Sequence, residues 1–242
     1  APFTGSFDGN NQAITGLTID RPNENNAGLF GQSNGTISDL SLTNLTVNGS
    51  NNVGGLIGRS ARGTIQNVTV SGSVSGKTNV GGLVGANGER GGSPEDVTIQ
   101  NATATGTVTG TGSDGGVGGI SGFNTGTIRN TAANGTVTAE KFLSAGGIIG
   151  INDGNGTIQL AAASGDVTVV NGNVGGLAGT SEGTIRNATA SGSVTATEDP
   201  EFNAAGGLVG DNGETGIIQE TFAVGAVTGE NSTGGLVGIN DG

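Results

Sequence analysis

The chain has 242 residues, 52 of them glycine and none of them Cys, His, Met, Trp or Tyr, and 20 acidic against 8 basic side chains give a formal charge of −12. Without thiol or imidazole it lacks a cysteine nucleophile, the usual triad base and the commonest zinc ligand, and the acidic balance opposes nucleic acid and anionic lipid surfaces as partners. Glycine does not fall at every third position, which excludes collagen, and Val, Ile, Leu and Ala recur in register, which argues against disorder.

Residues 1–26 carry Phe3, Phe7 and the run Ile14-Thr15-Gly16-Leu17-Thr18-Ile19, and are expected to form an N-terminal coil. From residue 27 a Gly-Gly-Leu/Ile phrase returns, degenerate at Ala27-Gly28-Leu29 and then starting at Gly54, Gly81, Gly118, Gly146, Gly175, Gly206 and Gly234. The intervals are 27, 27, 37, 28, 29, 31 and 28 residues, a fixed period with one long exception. Residues 1–242 are therefore expected to form one elongated repeat domain.

Within each repeat the first apolar column is Leu56, Leu83, Ile120, Ile148, Leu177, Leu208 and Leu236, preceded by Leu29. The second is Ile37, Ile65, Ile99, Ile128, Ile158, Ile185 and Ile218, usually in Gly-Thr-Ile. A smaller column of Val70, Ala104, Ala133, Ala163, Ala190 and Ala223 follows, then a glycine and Val74, Val108, Val137, Val167, Val194 and Val227. Short β-branched runs bounded by Gly, Asn, Asp and Ser read as strands and turns, and no window sustains a helical period. The pattern predicts an all-β parallel β-solenoid of about eight coils, each of about 28 residues with three short strands. At about 4.8 Å per coil the rod would be roughly 40 Å long.

Two polar columns belong to the same architecture. Asn67, Asn101, Asn130 and Asn187 follow the isoleucines by two residues, with Asp39, Leu160 and Glu220 as departures, and are expected to stack as amides at a bend, inward or at a corner. Ser33, Ser60, Asn87, Asn124, Asn152, Ser181, Asn212 and Asn240 stand where an Asx or Ser turn is expected. The outward neighbours of the isoleucines, Ser38, Gln66, Gln100, Arg129, Gln159, Arg186 and Gln219, are too long and charged for an ice-binding plane.

Loops interrupt the period at a few places. The long insertion lies between Gly85 and Gly118, and Glu140-Lys141-Phe142-Leu143 and Glu198-Asp199-Pro200-Glu201-Phe202 emerge two coils apart. That spacing predicts a groove about 10 Å wide, with Phe142 and Phe202 exposed among Glu198, Asp199 and Glu201 as a partner contact. Turns holding Asp153, Asp211 and Asp241 present oxygen ligands, which makes calcium the expected inorganic partner if there is one. Asn34, Asn48, Asn134, Asn155 and Asn231 head Asn-x-Ser/Thr sequons and are candidate glycosylation positions.

Seven in-register copies of a Gly-Leu/Ile-x-Gly core, from Gly55-Leu56-Ile57-Gly58 to Gly235-Leu236-Val237-Gly238, resemble the GLUG repeat of bacterial and archaeal surface proteins, including filamentous-haemagglutinin-type adhesins and regions of immunoglobulin A peptidases. Phe7-Asp8-Gly9-Asn10 and the run after it look like the segment that often precedes such repeats. The resemblance covers essentially the whole chain, with residues 27–242 as GLUG-type coils. It implies an extracellular, β-helical, non-catalytic region and supplies neither a defined ligand nor an active site.

Solenoid ends expose unpaired strand backbone that templates pairing. The expectation is thus a structural or adhesive surface protein, a filament subunit or adhesin stalk, with no catalytic residues and no membrane span. Its partners would be copies of itself stacked head to tail through Phe3, Phe7, Leu236, Val237 and Ile239, or the rest of a longer surface protein, with a host or neighbouring-cell surface ligand as a further candidate. The alternative is a carbohydrate-binding or carbohydrate-processing β-helix using carboxylates such as Asp166, against which the shortage of aromatic and basic residues argues.

Overall fold

A computed structural model describes residues 1–89, 91, 97–140, 144–197 and 204–242. Among them the regular structure is all strand, in parallel sheets of sixteen, seven and eight strands. Each strand pairs with its counterpart one repeat away, as Ile57↔Val84 and Val84↔Ser121, so the pairing interval is the sequence period. The chain is a β-solenoid of about eight turns, and no helix among the described residues is long and apolar enough to cross a membrane.

One coil shows how the residues make the turns. Ile57–Ser60 lies in the eight-stranded sheet, Gly63–Gly76 crosses the sixteen-stranded sheet, and Thr78–Gly81 lies in the seven-stranded sheet. The long strand bends at Gly72, whose φ of 136° disfavours a residue with a Cβ. In later coils the bend interrupts the ladder, leaving two limbs such as Thr127–Ala133 and Val137–Ala139. Three strands per coil thus describe the early turns, two limbs replace the long strand in later ones, and in the last two the first limb is itself split, as Thr184–Arg186 and Thr189–Ala190.

The apolar columns face inward as alternation requires. Ile37, Ile65, Ile99, Ile128, Ile158 and Ile185 stack in register and are fully buried, as are Leu56 to Leu208 of the Gly-Gly-Leu/Ile column. The small column explains the paired glycines: a Cβ on Gly147 would lie 2.7 Å from the Ala163 Cβ and would also meet the Gly176 carbonyl. Gly150 packs against the Val117 backbone nitrogen, so the seven- and eight-stranded sheets approach to backbone contact. Glycine is required there by contact distance, and the core is correspondingly thin.

The long interval leaves this stacking intact. Asn87 to Val97 takes ten steps where Ser60 to Gly63 takes three, and Gly110 to Val117 takes seven where Gly76 to Val80 takes four. The extra residues fall between paired strands, and the register on either side is unchanged.

Candidate functional site

The polar side chains of the coil corners form three ladders. The first is buried: Asn87 Nδ2 donates to Asn124 Oδ1 at 2.7 Å, Asn124 Nδ2 to Asn152 Oδ1 at 2.9 Å, and Asn152 Nδ2 to Ser181 Oγ at 3.2 Å. The same amides bind their own turns, with Gly126 N donating to Asn124 Oδ1 and Asn152 Nδ2 to the Gly156 carbonyl. The expected Asx turns are therefore also a continuous internal polar seam. Serine breaks it, because the Ser60 and Ser181 hydroxyls turn to the Arg62 and Gly183 carbonyls. The next amides pay for this, and the buried Oδ1 atoms of Asn87 and Asn212 have no hydrogen-bond partner.

The second ladder is the corner column that follows the isoleucines. Asp39, Asn67, Asn101, Asn130, Leu160, Asn187 and Glu220 all have φ between 49° and 55°, the left-handed region in which Asn is favoured because its short side chain bonds locally. Asn67 donates to Asp39 at 2.8 Å, Asn101 to Asn67 at 3.0 Å and Asn130 to Asn101 at 2.7 Å. The amide of Asn67, and then the Ser38 hydroxyl, hold the Asp39 carboxyl below its usual range. The side chains of Asn67, Asn101 and Asn187 lie on the outer surface, so the corner alternative is the one that holds.

A third ladder had not been expected from the sequence. Asn79 Nδ2 donates to Asn52 Oδ1 and Asn52 Nδ2 to Asn26 Oδ1, at 3.1 and 3.0 Å, again with positive φ. Its signal was Asn two residues before the first glycine of the phrase, as in Asn52-Val53-Gly54.

The residues expected to mediate end stacking sit at the two ends of the rod. Phe3 and Phe7 pack on Phe30, with ring centroids 5.2 and 5.5 Å apart, and close over the core. At the other end Leu236 is exposed, Val237 packs on the core, and Ile239 is half-buried in the outward column with Asp211. Among the sequon asparagines, Asn134, Asn155 and Asn231 are exposed while Asn34 and Asn48 are half-buried, Asn48 donating to Asp20. Phe142, Phe202, Glu198, Asp199 and Glu201, and with them the expected groove, lie outside the described residues.

Asp153 and Asp241 follow the turn asparagines Asn152 and Asn240, whereas Asp211 precedes Asn212 in the strand column of Ile239. Burial, then the charges of Asp241 and Glu182, push the Asp211 carboxyl up, against a hydrogen bond from Asn173 Nδ2 at 3.1 Å. No group of three or more acidic side chains among the described residues is placed to hold a metal ion.

The model of the GLUG motif matches residues 49–75 and 170–195, each spanning a phrase and the strands on either side of it. Two of its repeats match the GLUG motif. Over 151 residues, 61% of its length, it is 48% identical to Halomucin of Haloquadratum walsbyi, and it spans 2% of that protein. Its backbone also resembles a Bacteroides ovatus crystal structure provisionally assigned as an immunoglobulin A1 protease, with a TM-score of 0.68 at 23% identity, covering 92% of this chain and 68% of the other. At that identity the likeness concerns the fold alone.

Proposed function

We propose that the chain is a non-catalytic structural and adhesive segment of an extracellular surface protein, a stiff spacer joined end to end to further coils or further copies. The observation that carries this is the use of the polar residues: the buried amides bind one another and turn backbone along the rod, which makes them part of the scaffold. Surface placement is supported by the GLUG repeats and by the similarity to Halomucin. End stacking would continue the parallel ladders that already pair each coil with the next in all three sheets.

Antibodies against the chain test the placement. They are expected to label intact cells of the source organism, and labelling only after lysis would reject it. Electron microscopy of purified chain across a concentration series tests the stacking, with particles expected to grow in steps of one rod length. Added calcium forms a second arm, which asks whether Asp153, Asp211 and Asp241 recruit the ion. Particles that stay one rod long in every condition reject stacking between separate copies.

A further inference from the structure

We propose that the first limb of the sixteen-stranded sheet is a lateral contact surface for a second, antiparallel copy of this chain, centred on Leu160, Ala132 and Phe222. This contact is distinct from the end stacking above.

The outward columns of the limb are small or polar in most coils and become apolar in the seventh. Thr36, Thr64, Thr98, Thr127, Thr157 and Thr184 are followed in register by Ile217. Ser41, Thr69, Thr103, Ala132, Ala162 and Thr189 are followed by Phe222. Beside them Asn134, Ser164 and Ser191 give way to Val224. Phe222 is 57% and Val224 71% exposed. They point sideways from the sheet, so a further coil on the end of the rod would leave their outer faces open.

Three coils away the same face carries a groove of about 440 Å³. Thr103, Ala132 and Ala162, with Asn101, Asn130 and Leu160 beside them, are among the residues that line it. Leu160 is 56% exposed with φ 54°, a conformation that costs a leucine about 1–2 kcal/mol and that Asn occupies in the flanking coils. The corner imposes that backbone on every residue of the column, so what sets Leu160 apart is an exposed apolar side chain where the flanking coils carry Asn.

Knob and groove fit each other through a two-fold axis parallel to the strands, between the coils of residues 157–169 and 184–196. The operation sets Phe222 of each copy over Ala132 of the other, and Thr189 over Ala162. It also brings Glu220 over the second copy's Asn130, next to Arg129. The contact is isologous and closes as a dimer. Two copies with charge −12 repel in general, and this limb, which carries Arg129 and Arg186, is where opposite charges meet. Four coils by about seven residues cover on the order of 450 Å² per copy, roughly half a standard interface, so the pair is weak and concentration-dependent.

Sedimentation equilibrium and small-angle scattering of the whole chain, from about 10 μM to 1 mM, test this. The expected result is a rise toward twice the monomer mass with a thicker cross-section. Phe222→Ser and Ala132→Gln should each weaken association at least tenfold, and Glu220→Arg should weaken it and be rescued by Arg129→Glu. Phe222 is exposed, so Phe222→Ser should keep the parent melting temperature and circular dichroism. A chain monomeric at 1 mM, or association unchanged by Phe222→Ser, overturns the proposal. Growth in length without thickening also overturns it, while leaving end stacking in place.

Discussion

Ser60 and Ser181 each leave a buried amide oxygen without a donor, and each is followed in its column by Asn. Ser181→Asn would take the Asn152 amide and pass its own Nδ2 to Asn212 Oδ1, and a satisfied buried acceptor stabilises by about 1 kcal/mol. Chemical denaturation should show that gain for Ser181→Asn, and a comparable one for Ser60→Asn. Thr131 is 4% exposed with an unpartnered hydroxyl, in an inward column where its neighbours are Ala102 and Ala161. Thr131→Val should stabilise by about 1–2 kcal/mol, because a polar group that cannot be satisfied is removed without loss of volume. The sequence made these columns legible as stacks but left their facing ambiguous, since Asn favours both a left-handed corner and a buried turn. Asn101 and Asn124 belong to columns that the sequence separates, but only the path of the coil places one outside and the other inside.

At the scale of the strand and its turn, the Gly-Gly phrase is set by contact distance. Gly147→Ala would press a methyl against Ala163 and the Gly176 carbonyl, and overpacking of this kind costs about 1–3 kcal/mol. Its midpoint in urea should fall accordingly, and Gly176→Ala, which faces Ala190, should behave alike. Corners are far more permissive, since the extra residues before Val97 and before Val117 leave the flanking register unchanged. Apolar columns and period were readable because a solenoid repeats its constraints once per coil. The contact face around Leu160 and Phe222 was not readable in the same way, because it consists of single departures from columns whose outward direction the sequence alone does not give.

For the whole molecule, charge sets the conditions of stability. Twenty acidic side chains against eight basic ones repel one another along a thin rod, and raising salt from about 0.1 to 1 M shortens the screening length from about 10 to 3 Å. The melting temperature should rise over that range, and a flat response would mean that self-repulsion is negligible. Asp211 and Asp39 move stability in opposite senses with pH. The Asp211 carboxyl is pushed above its ordinary 3.8, so its contribution is fully present below that value and is lost as pH rises through the raised pKa. Asp211→Asn should therefore raise the melting temperature at pH 7 and give no gain below about 3.8. The Asp39 carboxyl is held below 3.8, and what it contributes is lost only as pH falls through its lowered pKa.

Parallel pairing between successive coils also decides how the rod responds to a pull. The hydrogen bonds between coils run along the rod, in line with tension between the two ends, so the pull peels the outermost coil from its neighbour a few bonds at a time. Failure should then come one coil at a time. Each released turn of about 28 residues would pay out roughly 95 Å of contour length at about 3.4 Å per residue. In an optical trap the expected trace is a sawtooth of near-equal steps, with a longer one for the coil that carries the corner insertion. A protein with that response would stretch in measured increments under shear, dissipating load while the coils beyond the break stay folded and attached.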